Sequence, residues 1–146
     1  MMVERSWAEI NLAALERNLR LIKDSLPSRV RYISVVKADA YGHGILPTAA
    51  RLMQSDVDLF AVANVKEASE IREMGSGWPI LILGPLLEEE NEALFELDLT
   101  PTLSSQIELE RLCTLSQKYQ KRISAHLKID SGMGRYGIWR EDAPAL

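Results

Sequence analysis

The sequence predicts an α/β fold built on a parallel sheet, and three observations lead there. Short runs of aliphatic and β-branched residues alternate with stretches of helical apolar periodicity along almost the whole chain. The connections between these runs are brief, which places the helices outside a sheet of parallel strands. No low-complexity segment interrupts the pattern, and no sequence repeat exists beyond the alternation itself.

Taken in order, a short extended start (Ser6 to Ile10) leads to Asn11, a helix N-cap by residue type. Leu12, Leu15, Leu19, Ile22 and Leu26 then recur at spacings of three and four, and Pro27 closes the helix. Val30 to Val36 is rich in β-branched residues and reads as a buried strand. It enters Lys37 to Gly44, a loop whose glycines permit unusual backbone angles. The next helix carries Leu46, Ala49, Ala50 and Met53 on one face. Leu59 to Ala63 is a strand, Val65 to Met74 a helix ending at Gly75, and Ile80 to Leu83 a strand. Glu88 to Leu97 is a helix. Leu99 to Leu103 is a weaker strand because Pro101 removes a ladder donor. Ser105 to Gln120 is a helix and Ile123 to Ile129 a strand.

Two architectures share this alternation: an open doubly wound sheet and part of a (β/α)8 barrel. The glycine-rich phosphate loops of the first are missing after the opening strand and elsewhere. A closed barrel usually needs ~250 residues, whereas 146 residues supply about five of the eight strands. The expectation is a partial TIM-type barrel, about five parallel strands with alternating helices, that stops before closure. Unpaired strand edges and uncovered apolar faces then predict self-association of the chain.

Composition excludes several classes of function. Apolar residues make up 47% and charged residues 26%, ordinary values for a globular protein. Seventeen basic against twenty-one acidic side chains give a formal charge of −4, which argues against a general nucleic-acid surface. The short group Lys118, Lys121, Arg122 reads as a solvated helix end. Cys113 is the only cysteine, so neither an internal disulfide nor a cysteine-based metal site can form. Its place in a helix suggests a buried, inert thiol. No apolar run reaches the ~20 residues of a membrane span, and the N-terminus is too polar for a signal peptide. A cytoplasmic protein is expected.

Lys37 continues the Arg31, Ile33, Val35 face past the carboxyl end of the first strand. That edge of a parallel sheet carries the active sites of both candidate architectures. A partly desolvated lysine there has its neutral amine available for a Schiff base with an aldehyde cofactor. The same position also suits an ordinary surface lysine. Tyr41 can donate to a phosphate, and the glycine-rich turn offers backbone amides to an anion. His43 suits a structural turn as well as a functional role. In the last strand Ile123, Ala125, Leu127 and Ile129 alternate with Ser124, His126, Lys128 and Asp130. The apolar set is expected to pack under outer helices and the polar set to face the sheet interior. Lys128 and Arg135 then lie near each other around Gly132-Met133-Gly134, and two buried cations need compensation. Asp130, an anionic cofactor or a changed state of Lys128 can each supply it.

Two motifs resemble one known family. Val35-Val36-Lys37-Ala38-Asp39-Ala40-Tyr41-Gly42-His43-Gly44 is similar to the cofactor-attachment signature of alanine racemases. His126-Leu127-Lys128-Ile129-Asp130-Ser131-Gly132-Met133-Gly134-Arg135-Tyr136-Gly137 resembles the mid-barrel motif of the same enzymes, and Trp7-Ala8-Glu9-Ile10-Asn11-Leu12 resembles their start. The likeness spans essentially the whole chain. It implies that residues 1–146 are the N-terminal portion of a barrel that binds pyridoxal 5'-phosphate, without the family's C-terminal β-domain. It further implies interconversion of L-alanine and D-alanine, the latter a peptidoglycan precursor.

By the same resemblance Lys37 carries the cofactor as a Schiff base and serves as one of two bases. Tyr41 donates to the cofactor phosphate. Arg135 contacts the cofactor's phenolic oxygen and lies close to the substrate carboxylate. Lys128 matches a lysine that is carbamylated in many members. The family forms homodimers with shared active sites, and its opposite-face base is a tyrosine from the partner's C-terminal domain. Tyr136, part of the mid-barrel motif, is no substitute for that tyrosine, so the 146-residue chain alone is expected to be inactive. A non-catalytic pyridoxal-phosphate-binding barrel and a racemase of broader specificity remain alternatives, with a decarboxylase on the same barrel ranked below them.

Overall fold

A computed structural model describes residues 6–145, and the N-terminal residues read above as too polar for a signal peptide lie partly outside them. Ser6 to Ile10, read as an extended start, pairs with no strand. Helix α1 (Leu12–Ser25) begins where Asn11 accepts the Ala14 amide at 2.9 Å, satisfying one of the free donors of the first turn. Of its apolar stripe only Leu19 is fully buried, and Ile22 is 41% exposed.

The chain then enters β1 (Ile33–Val35) and a six-residue coil, α2 (Lys37–Gly42). Helix α3 (Ile45–Gln54), strand β2 (Leu59–Val62), helix α4 (Val65–Met74) and strand β3 (Ile80–Ile82) follow. A 3-10 turn (Glu88–Glu90) runs into α5 (Asn91–Glu96). Pro101 breaks the next strand into β4 (Leu99–Thr100) and β5 (Thr102–Leu103), because a proline donates nothing to a ladder. Helix α6 (Gln106–Tyr119) follows. The last strand is likewise split, into β6 (His126–Leu127) and β7 (Ile129–Asp130), ahead of β8 (Ile138–Trp139).

Strands β1, β2, β3 and β4 form one parallel sheet in chain order, with Ile33 opposite Leu59 and Phe60 opposite Ile80. β5 then pairs with β6, and β7 with β8, all in parallel. Strands in sequential order with helices between them are the first part of a barrel whose sheet is not closed, as the alternation predicts. The core lies between this sheet and its helices. Phe60, Val62, Ile80 and Ile82 are fully buried there, together with Ile71 of α4. At ~25 cal/mol per Å2 of apolar surface, such residues supply most of the folding drive.

Three expectations need correction. The buried face of α3 is Ile45, Thr48, Ala49 and Leu52, whereas Leu46 is 45% exposed. The helix starts one residue earlier in its apolar phase, and Thr48 is buried with it. Cys113 is exposed: the buried positions of α6 are Leu112 and Leu115, and Cys113 falls off that stripe. In the last strand only Ile123 packs against the core, while Leu127 and Ile129 are 47% and 40% exposed and Asp130 is buried. Two-residue pairings twist too sharply to keep one strict alternation over eight residues.

Candidate active site

The site begins with an unusual piece of backbone. Ala38, Asp39, Ala40 and Tyr41 have φ of 52°, 53°, 53° and 56°, so α2 is a left-handed helical turn. Each L-residue in that region is disfavoured by roughly 1–2 kcal/mol, and non-glycine residues rarely follow one another there. The sequence shows only Gly42 and Gly44, which also have positive φ. The four residues before them carry the strain unannounced.

Several bonds compensate. Val36 O accepts Ala40 N at 2.9 Å, and Asp39 O accepts Gly44 N at 3.0 Å. The Asp39 carboxylate accepts Ile45 N at 2.7 Å, capping the start of α3. The His43 ring meets Ala40 O at 2.9 Å, so His43 has the structural role in the turn. Glu67, from the first turn of α4, accepts Ala38 N at 2.8 Å and Ala63 N at 2.8 Å. Strain persisting at one spot under such multiple fixation is a mark of functional sites.

Lys37 sits at the first position of this turn, at the carboxyl lip of β1. It lines a cavity of about 340 Å3 together with Ala63, Leu83, Gly84, Pro85, Lys128, Arg135 and Tyr136. Lys37 therefore shares one space with Lys128 and Arg135, which lie more than ninety residues further along the chain. Leu83 and Gly84 follow β3, so the cavity opens at the carboxyl ends of the strands. A Cβ on Gly84 would stand 2.6 Å from Ala63 O, too close for any side chain. Glycine there lets the segments after β2 and β3 lie against each other on the cavity floor.

Three cations and no carboxylate line this cavity. Among the described residues none of the three forms a salt bridge. Asp130, one candidate for compensating them, turns elsewhere: its carboxylate accepts Gly132 N at 2.8 Å. The amides of Gly132 and Gly134, helped by those of Met133 and Arg135, hold its carboxyl below the usual value. Asp130 thus shapes the turn that presents Arg135. Like charges gathered in a partly enclosed space favour an anionic occupant.

Tyr136 is the cavity residue whose structural part the sequence reading did not foresee. Burial is the main cause that raises its phenol above the ordinary value, and the charge of Glu108 adds to it. Its hydroxyl lies 3.2 Å from Thr102 O and 3.4 Å from Glu108. Tyr41 is not in this cavity. It is 60% exposed and lines a separate groove with Ile10, Leu15, Leu19 and Val36. Lys118, Lys121 and Arg122 are exposed, as a solvated helix end requires. Among the described residues no group of three His, Cys, Asp or Glu side chains could hold a metal ion, and no helix is long and apolar enough to cross a membrane.

An unclosed parallel barrel with a lysine at the lip of its first strand and a cationic cavity beside it defines the class: an α/β barrel domain with a cationic cavity at the carboxyl ends of its strands. The family follows from comparison. The model for "Alanine racemase, N-terminal domain" matches residues 10–146, and the chain belongs to that family. The alanine racemase of Halothermothrix orenii is 42% identical over 138 residues, covering 94% of this chain and 36% of the relative. The Clostridium difficile 630 alanine racemase in complex with cycloserine superposes with a TM-score of 0.88 at 36% identity, covering 99% of this chain and 40% of that one. The alanine racemase of Bartonella henselae with covalently bound pyridoxal phosphate gives 0.84 at 28% identity, covering 94% and 38%. The chain therefore spans little more than a third of the length of these relatives.

Proposed function

We propose that this chain is the cofactor-bearing part of an alanine racemase, with Lys37 the lysine that binds pyridoxal 5'-phosphate covalently. The observation that carries this reading is the cavity shared by Lys37, Lys128 and Arg135 at the carboxyl ends of the strands. The residues fit the group. Its phosphate and phenolic oxygen are anionic and suit three cations without a carboxylate, and about 340 Å3 lies within the range of small-molecule sites.

When bound, the cofactor acidifies the α-proton of an attached amino acid by delocalising the charge left behind. The chain's own residues do the rest. Lys37 Nζ would hold the cofactor at the strand lip and, as a free amine, would take or return a proton at the α-carbon from one face. Arg135, on the same cavity, would donate to the cofactor's phenolic oxygen and could also meet the substrate carboxylate. Its planar fork of donors suits either oxygen. Carbamylation of Lys128, which the resemblance implies, would add its amine to carbon dioxide with loss of a proton and set an anion beside Arg135, leaving Lys37 and Arg135 as the cavity's cations toward the cofactor. Tyr41 is the phosphate donor by resemblance, and would act from its own groove rather than from the Lys37 cavity. The substrate is alanine.

The test is spectroscopic. Added pyridoxal phosphate is expected to give the lysine-adduct absorbance near about 420 nm and Lys37→Ala to abolish it. Equal absorbance in Lys37→Ala would remove the proposal.

A further inference from the structure

We infer that Glu67 is a positioning residue for Lys37: its carboxylate clamps the left-handed turn to the neighbouring strand and so sets where the lysine amine can react. This rests on the reading of Lys37 as the cofactor lysine. Three observations carry it.

First, the two oxygens divide their work. Oε1 accepts Ala38 N, the amide directly after Lys37, and Oε2 accepts Ala63 N, both at 2.8 Å. One carboxylate thus ties the exit of β1 to the exit of β2, and Ala63 is itself part of the cavity wall. Secondly, the bonds within the turn leave its first free amide unserved. Ala38 has φ 52°, begins four successive left-handed residues and is only the second residue of α2, so its amide has no acceptor four residues back within the turn. Without Glu67 that donor would face only solvent, and the strained turn would lose its first anchor.

Thirdly, the device recurs on the opposite wall. Asn64 caps α4 and Glu67 stands three residues on; Ser105 caps α6 and Glu108 stands three residues on. This is the spacing of a capping box, in which the third helical residue reaches back to the cap amide. Here both glutamates reach one residue further, to Ala63 N and to Ser104 N at 2.6 Å. Each turns its other oxygen to a segment bearing a cavity cation. Glu67 holds the residue after Lys37, and Glu108 lies 3.4 Å from the hydroxyl of Tyr136, the residue after Arg135. A helix cap alone requires neither outward contact.

The experiment uses the whole chain, with pyridoxal phosphate as the probe. Its aldehyde condenses with a lysine amine and releases water, and borohydride then delivers hydride to fix the adduct for mapping. The readout is the share of label at Lys37 relative to all other lysines, which a merely structural loss would not redistribute. Glu67→Ala is expected to lower that share about tenfold, the scale of a small misplacement of a reacting group. Glu67→Gln, whose single carbonyl oxygen can serve one of the two amides, is expected to fall between. A wild-type share at Lys37 in a folded Glu67→Ala, or in Glu67→Gln if the alanine variant does not fold, overturns the inference. Amide exchange in the unsubstituted chain separates the two readings. Fast exchange at Ala38 and Ala63 overturns the clamp alone. Protected amides with no Lys37 adduct overturn the cofactor reading, and the role of Glu67 with it.

Discussion

Replacing Ala38 by glycine is expected to leave the protein as stable as before or slightly more so, the reverse of what the substitution does in an ordinary helix. In the native turn Ala38 has φ 52° and ψ 53°, where a Cβ is disfavoured by roughly 1–2 kcal/mol. Glycine removes that strain and keeps the Ala38 amide bond to Glu67. Against this, glycine raises the entropy of the unfolded chain, worth about 0.5–1 kcal/mol. The net is a change between about zero and 1.5 kcal/mol in favour of the variant. Ala50→Gly, inside the right-handed α3, supplies the control and is expected to lose about 1 kcal/mol or more. Urea unfolding with unchanged slopes measures both. Equal destabilisation of the two variants would refute the left-handed turn and the account of strain at Lys37.

Phe60→Ala empties the centre of the sheet, where the ring is wholly buried, and is expected to cost about 3–5 kcal/mol by urea unfolding. Asp130 titrates with a folded value held below 3.8 by turn amides. The stability it contributes is present above the unfolded value and disappears as pH falls through the lower folded one. The stability difference between the parent and Asp130→Asn should therefore shrink below about pH 4; a difference constant from pH 7 to pH 2 would contradict this. β1 pairs with β2 alone among the described strands, and Trp7, Ile107 and Met133 are more than 70% exposed. Size-exclusion chromatography with light scattering is expected to show self-association, and a clean monomer at high concentration would remove that expectation.

Much of the fold was legible because local chemistry and tertiary packing agree. Val65 to Met74 ends at Gly75 as read, since Asn64 and Gly75 mark both termini. Leu59 to Val62 is a short aliphatic run buried on both faces. Disagreement arises where tertiary context decides. The face of α3 turns on Thr48, whose buried hydroxyl has no hydrogen-bond partner, a feature that residue type does not announce. The left-handed turn has no signal in Ala-Asp-Ala-Tyr, because only tertiary anchors impose it.

The site divides in the same way. Lys37, Lys128 and Arg135 stood out from their motifs, and the structure places all three on the wall of one cavity. Tyr41 was read beside them but lines another groove. Glu67 and Glu108 were visible only as helix-start spacings, since nothing in a sequence reports that a carboxylate reaches across to another strand's loop. Gly84 gave no hint either, because its requirement comes from the Ala63 carbonyl of a different strand.

Peptide mapping after pyridoxal phosphate and borohydride tests the central claim most directly. The expected result is a pyridoxyl group on Lys37 in preference to every other lysine of the chain. Label spread evenly over surface lysines, or concentrated at Lys128 with Lys37 untouched, would contradict it.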